Sequence, residues 1–324
     1  MAVFLTGASG FIGTHVLHQL LAAGYEVKAI SRSGKLPHAP ESDQLSVFEG
    51  DLLDSASYIH ILEQCNSVIH LAGLISTHRK DEQEVMQANY ETTKRLWQAC
   101  KKTKPEKIVY LASIFAHGWA KDGNPIDEEA DYDDEIYRLP NPYFKAKRDA
   151  ELLSWQACEE GLPIVFGYPG FCIGPEDHRL SSMRAVVQAI KGEIPAFIDG
   201  GMNFIDVRDA AAGLIACLEK GKVGEKYLLV DHNFRWREFF SELEVVSGKR
   251  GPAVSIPYVM ALWSGKALEA VWPGAPISEG DVTLMGNLWY YDPTRARAEL
   301  GLPSRPLAES LRDSLDWLRE NLYL

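Results

Sequence analysis

Apolar positions in the first half of the chain follow two alternating rhythms. Short aliphatic or β-branched runs at 3–6, 26–30, 46–49, 67–71 and 107–112 predict buried strands. Between them, over 11–23, 55–64 and 82–102, apolar residues recur at the spacing of one helix face, and Gly24 ends the first of these helices. Strand, helix, strand at this rhythm predicts a parallel sheet with right-handed crossovers. Residues 121–142 (KDGNPIDEEADYDDEIYRLPNP) are acidic, proline-broken and weakly periodic, and predict a long surface loop before a helix over 143–160 and a strand at 164–166. The stretch 169–175 (PGFCIGP) breaks regularity, and beyond it helical patterns near 180–191, 207–219, 235–246, 257–270 and 306–319 stand among irregular segments. The expected fold is α/β. A doubly wound parallel sheet occupies 1–168, and a smaller, mostly helical substrate lobe occupies 169–324, from which about 204–231 returns to the first lobe as strand, helix, strand.

Composition narrows the partners. With 33 Lys+Arg against 45 Asp+Glu in 324 residues, the net charge is −12, the wrong sign for phosphate backbones or anionic lipid. The five cysteines are scattered, odd in number and without CxxC spacing, which points to reduced thiols and to no metal site. No apolar run approaches the roughly 20 residues of a membrane span, and the N-terminus lacks a secretory signal pattern, so a cytoplasmic protein is expected.

The most specific local signal is TGASGFIG at 6–13, after the first strand and opening the first helix. Gly7 suits the positive φ of a tight turn, Gly10 lets backbone close on a pyrophosphate, and Gly13 lets the helix pack closely. The amides of Phe11 and Ile12 would face the anion from the helix N-terminus. After the second strand, where NAD-preferring sites commonly present a carboxylate, the chain reads Ile30-Ser31-Arg32-Ser33. An arginine between two hydroxyls suits a 2′-phosphate, so the expected cofactor is NADP(H), with Lys35 as a less well placed cation. A solvated loop arginine is the plainer alternative. Asp51, in GDLLD, is placed either to accept from the adenine amino group or to cap the next helix.

Tyr143 and Lys147, four apart at a helix start, project from one face. A phenol near pKa 10 is a poor acid at neutral pH, and a lysine one turn away plus a cationic nicotinamide would lower it. Ser113 follows an apolar strand at the carboxyl edge, where ligands bind in such sheets, and its hydroxyl could hold a carbonyl oxygen. Lys145 falls on another face and is not expected to substitute.

With TGASGFIG, HLAG (70–73), Asn89, Ser113 and Tyr143/Lys147 in one order, the chain resembles the extended short-chain dehydrogenase/reductase superfamily, also called the NAD-dependent epimerase/dehydratase family. The likeness spans nearly the whole length, supported by NFIDVRDAAAG (203–213), GEKYLLV (224–230) and YDPTRARAELGL (291–302). Its texture is most similar to the dihydroflavonol-reductase and 3β-hydroxysteroid-dehydrogenase side, and to bacterial proteins labelled nucleoside-sugar epimerases. The resemblance implies a Rossmann lobe for NADP(H), contacted also by Leu52, Leu71, Ala72 and Gly73. It implies Tyr143 as acid/base, Lys147 tuning it and holding the nicotinamide ribose, Ser113 polarising the substrate oxygen, and Asn89 organising a proton path. The segment 168–172, with Pro169, Gly170 and Cys172, is expected near the nicotinamide. A homodimer through the helices at 82–102 and 143–160 is common in the superfamily.

Departures from the family pattern sort the chemistry. Dehydratases of the family follow the catalytic hydroxyl residue with an Asp-Glu pair; here Ile114 and Phe115 follow Ser113. Sugar-nucleotide epimerases hold the diphosphate with an asparagine and an arginine, at positions that read Phe171 and Met202 here, and an apolar pair cannot satisfy that charge. The expectation is a small or medium, largely apolar carbonyl substrate reduced by NADPH, with Phe115, Trp119, Phe171, Met202, Trp263 and Trp272 as pocket candidates that ordinary core packing would equally explain. An epimerase and a catalytically silent cofactor-binding regulator are the alternatives. The apolar stretch 256–271 (IPYVMALWSGKALEAV) is open to three roles: a lid, a dimer surface or a membrane-surface helix. His117 and Cys172 are expected to be structural.

Overall fold

A computed structural model describes residues 1–130, 134–272 and 277–324. Its strands are β1 (Ala2–Thr6), β2 (Glu26–Ser31), β3 (Leu45–Glu49), β4 (Ser67–His70), β5 (Lys107–Leu111), β6 (Ile164–Pro169), β7 (Phe171–Ile173), β8 (Ala196–Ile198), β9 (Gly201–Asp206), β10 (Lys226–Leu229), β11 (His232–Arg235), β12 (Val254–Ile256) and β13 (Leu288–Trp289). Seven of them form one parallel sheet in the order β10-β6-β5-β4-β1-β2-β3. The winding reverses between β4 and β1, so the crevice beyond their carboxyl ends is the place where a Rossmann sheet receives a dinucleotide. Both faces are covered, as the continuous apolar runs require. Phe4, Val68, Ile108 and Phe166 enter one core, while Val3, Leu5, Ile69, Val109 and Val165 enter the other, the period-two alternation of strands.

β7, β9, β11 and β13 make a second sheet, and β8 pairs with β12. This refines the expectation for 204–231. The helix Val207–Glu219 and β10 join the main sheet, whereas the strand at 204 belongs to β9 and the second lobe. The irregular stretch 169–175 hides β7, whose three residues are too few to show a period. Helices at Glu279–Gly286 and Thr294–Leu300 also lie outside the sequence pattern, both short, the first started by a Ser278/Asp281 capping box. The predicted helix at 55–64 is instead a 3₁₀ turn (Ser55–Ser57) and one α turn (Ile59–Leu62).

The acidic loop at 121–142 contains a 3₁₀ helix, Asp134–Arg138, and Ile126 bridges to Tyr291; its residues 131–133 lie outside the described residues. Within it Glu128 is buried, and its Oε1 accepts from the Leu228 amide at 2.8 Å on the outermost strand, β10. The helix Tyr258–Val271 packs inward through Ala261 and Gly265, and leaves Val259, Met260 and Trp263 exposed. No helix among the described residues is long and apolar enough to cross a membrane.

Candidate active site

The glycine turn sits where β1 ends. Gly7 has φ +73°, and a Cβ there would stand 2.6 Å from the Ala72 nitrogen. At Gly13 a Cβ would stand 2.0 Å from the Gly7 carbonyl oxygen, so the third glycine allows the helix Phe11–Ala22 to press against the turn itself. Gly10 is the N-cap of that helix with no side-chain cap bond, and its first turn carries no acid. Uncapped amides at a positive dipole end, framed by backbone that no side chain can enter, fit a pyrophosphate. Arg32 is exposed after β2 and pairs with no carboxylate among the described residues. Ser31 Oγ donates to the Lys35 carbonyl at 3.0 Å and contacts Ser33 Oγ at 3.2 Å, shaping the loop around it. Asp51 Oδ1 accepts from the Leu53 amide at 3.0 Å and so braces its own turn, while the cap of the next turn is Asp54. Leu52 and Leu71 are nearly buried, Ala72 is half-buried and Gly73 is exposed.

Behind the turn runs a buried relay that composition and spacing do not announce. Thr6 Oγ1 accepts from the Leu71 and Ala72 amides, each at 3.2 Å, and lies 2.7 Å from His70 Nδ1. His70 Nε2 lies 2.9 Å from Thr93 Oγ1, which donates to the Asn89 carbonyl at 2.6 Å. The one proton of Thr93 is thereby used, so His70 must donate from Nε2 and accept at Nδ1 from Thr6. This neutral tautomer satisfies every atom of the chain. Burial, then the Lys147 charge, hold the His70 pKa down to about 3.

Asn89 sits in a π-helical turn, Gln87–Glu91, inside the long helix spanning 82–103, a distortion frequent at functional sites. Its Nδ2 donates to the Leu74 and Val85 carbonyls at 2.8 and 2.9 Å. Its Oδ1 is buried without a hydrogen-bond partner among the described residues, 2.6 Å from where a Gly73 Cβ would be. A water or ligand donor beside Gly73 would complete it.

Ser113 follows β5 and caps the helix Ile114–His117, with Oγ accepting from the Phe115 amide at 3.3 Å. That bond leaves the Ser113 proton available. Tyr143 opens the helix Pro142–Glu159, where Asn141 Oδ1 accepts from the Tyr143 and Phe144 amides. Burial pushes the Tyr143 phenol up to about 12, and a hydrogen bond with Ser113 pulls in the opposite direction. Lys147, one turn on, donates from Nζ to the Leu111 carbonyl at 2.7 Å and lies over the Tyr110 ring; burial lowers its pKa to about 8, partly opposed by Glu151. In the protein alone, desolvation dominates both groups. What the arrangement holds is a protonated phenol, ready to donate. Lys145 is exposed and faces Glu82 at 3.7 Å.

On the substrate side Phe115 stacks on Phe144 at 5.2 Å and lies edge-on to Trp289 at 4.8 Å and Tyr143 at 6.3 Å. Trp119 joins this cluster through Trp289. Phe171 is partly exposed against Phe204. Met202 is fully buried in β9 between β11 and β13, which makes it a core residue beneath the site rather than a contact surface. Trp263 and Trp272 are 69% and 57% exposed on the outside of the second lobe. Pro169 and Gly170 are buried where β6 gives way to β7, and Gly170 has no room for a Cβ, which would meet Asn203 Oδ1 at 2.6 Å. Cys172 is buried with its thiol pKa raised by desolvation. His117 Nε2 bonds the Asp127 carbonyl at 2.7 Å, and burial lowers its pKa to about 4.

A model of the NAD dependent epimerase/dehydratase family matches residues 3–229. The chain belongs to that family. Among curated relatives, a Synechocystis sp. protein named after dihydroflavonol 4-reductase is 28% identical, over 99% of this chain and 95% of its own length. Cinnamoyl-CoA reductase 1 of Oryza sativa subsp. japonica is 26% identical over 99% and 91%. Among solved structures, PA4631, titled a nucleoside-diphosphate-sugar epimerase from Pseudomonas aeruginosa, is 25% identical with a TM-score of 0.80, covering 100% of this chain and 99% of that one. The family is NAD(P)-dependent, and this member's reductase relatives are extended short-chain dehydrogenase/reductases. The HLAG motif did mark His70 in the sequence, but only the fold shows its partner Thr93.

Proposed function

We propose that the chain is an NADP(H)-dependent oxidoreductase that reduces a largely apolar ketone or aldehyde, reversibly acting as an alcohol dehydrogenase. The observation that carries this reading is the convergence of Ser113, Tyr143 and Lys147 at the carboxyl edge of β5, beside the aromatic cluster of Phe115, Phe144 and Trp289. A nicotinamide held there would supply the hydride. Ser113 turns its hydroxyl proton from Tyr143 to the carbonyl oxygen and fixes the substrate's orientation, and the Tyr143 phenol delivers the proton that the reduced oxygen takes up. Lys147, held by the Leu111 carbonyl, places its charge where it favours the phenolate left behind and reaches the nicotinamide ribose. Asn89, with its unpaired Oδ1, holds a water through which Tyr143 is reprotonated. Arg32, Ser31 and Ser33 read the 2′-phosphate, and the Phe11 and Ile12 amides hold the pyrophosphate.

The relatives named as reductases support this reading, as does the apolar, partly exposed side chain at Phe171, which cannot pair with a diphosphate. The similarity to PA4631 keeps a sugar-nucleotide epimerase as the second reading. One experiment separates them: NADPH oxidation across aromatic and aliphatic ketones and aldehydes, alongside calorimetry with uridine and thymidine diphosphate sugars. Carbonyl turnover without sugar-nucleotide binding is expected; tight sugar-nucleotide binding with no net NADPH consumption would overturn it. Tyr143→Phe should retain cofactor binding and lose about 10²–10⁴-fold in turnover, whereas a silent cofactor-binding regulator would show no turnover to lose.

A further inference from the structure

The segment 175–182 of the second lobe reaches back over the glycine turn. Arg179 Nη2 donates to Ser9 Oγ at 3.2 Å, between Gly7 and Gly10. One residue earlier, His178 stacks face to face on His38, with ring centroids 3.5 Å apart and planes 5° from parallel. His38 belongs to the loop that leaves β2 and carries Arg32. The segment therefore touches both places that the cofactor's adenosine half must pass, the glycine turn and the arginine loop.

Its shape is set from several sides. Asp177 is buried, and its carboxylate accepts from Ser181 N and Oγ and from the Ser182 and Met183 amides at 2.9–3.0 Å. Glu176 and Leu180 take positive φ, 68° and 47°, a conformation costly for residues other than glycine and maintained here by those bonds. His15, on the helix behind the glycine turn, lies with Nε2 3.0 Å from the Pro175 carbonyl. Tyr323 Oη donates to the His178 carbonyl at 3.1 Å, and Trp317 packs edge-on against the His178 ring at 5.1 Å. The second acid of the segment, Glu176, faces His15 and His18 at 3.8 and 3.7 Å. Arg179 itself is exposed and pairs with no carboxylate among the described residues. A guanidinium beside uncapped helix amides, with a serine hydroxyl as its one hydrogen-bond partner among the described residues, is suited to a phosphate oxygen.

We propose that Arg179 is a phosphate-binding residue of the cofactor site, supplied by the second lobe, so that cofactor binding ties the two lobes together. This rests on the NADP(H) reading above. The test is calorimetric binding of NADPH, NADH, 2′,5′-ADP and ADP to the full chain and to Arg179→Gln and Arg179→Lys. Arg179→Gln should weaken NADPH binding about ten- to hundred-fold, the range of a lost charge-assisted contact, and Arg179→Lys should restore part of it. A loss confined to NADPH and 2′,5′-ADP would assign the contact to the 2′-phosphate. A loss shared by NADH and ADP would assign it to the pyrophosphate. Affinities within two-fold of the parent for all four ligands, with an unchanged unfolding midpoint, would overturn the proposal while leaving NADP(H) in place. Failure of the unsubstituted chain to bind either dinucleotide would instead overturn the reading on which the proposal rests.

Discussion

Thr6→Val tests whether the relay behind the glycine turn is a structural unit. The substitution keeps the shape of the side chain and removes Oγ1, which serves His70 Nδ1 and the Leu71 and Ala72 amides. Leu71 retains a longer bond to the Thr6 carbonyl at 3.3 Å. Two groups are then orphaned, the buried His70 Nδ1 and the Ala72 amide, at about 1–3 kcal/mol each. The new methyl returns less than about 1 kcal/mol. The expected loss is therefore about 1–5 kcal/mol, a large part of a domain's stability. Urea unfolding followed by far-UV circular dichroism should show a lower midpoint at unchanged slope. Thr6→Ser, which keeps the hydroxyl, should lose far less. A Thr6→Val loss below about 1 kcal/mol would refute the accounting, because it would mean that His70 finds another donor at no cost.

Other consequences are as direct. Arg32→Ala should weaken NADPH binding by at least about ten-fold, with NADH little changed; an equal loss for both would show that Arg32 does not read the 2′-phosphate. Gly13→Ala should abolish dinucleotide binding in calorimetry, since a Cβ 2.0 Å from the Gly7 carbonyl oxygen displaces the turn, and retained affinity would refute that requirement. His70 and His117 are held neutral, with pKa values lowered from the ordinary 6.5 to about 3 and about 4. Above pH 6.5 both chain states are neutral and nothing changes. Below it the unfolded histidines take up protons that the folded ones refuse. Stability should therefore fall as pH drops from 6.5 towards 4, by up to about 1.4 kcal/mol per pH unit for each histidine; a flat melting temperature over that window would contradict it.

The sequence was legible where a side chain's chemistry and a period coincide. The run AVFLT followed by three spaced glycines predicts a strand, a turn and a helix, and all three form. Tyr143 and Lys147 are one helical turn apart and do share the site edge with Ser113. What escaped depends on distance in the fold. β7 and β13 are too short to show alternation and exist because each pairs with β9, β13 at Gly201 and Met202 and β7 from Phe204 to Asp206. Met202 reads as a pocket residue by register with a motif, yet pairing on both sides of β9 buries it. Arg179 stands in a stretch without period, and its meaning comes from Ser9, 170 positions away in sequence. The Tyr143 pKa could not be read from spacing either, since burial outweighs the Ser113 hydrogen bond.

The Glu128 carboxylate on the Leu228 amide has a consequence for how the molecule behaves in company. β10 ends the seven-stranded sheet, and an outermost strand with free amides is a template onto which another chain can add. Glu128 occupies one of those amides, and Arg295, ion-paired with Glu129 and Glu225, covers the same border. The acidic loop thus acts as a guard against edge-to-edge aggregation: a chain whose loop was shortened through Glu128 would keep its Rossmann core and become prone to stacking into β-rich aggregates at high concentration.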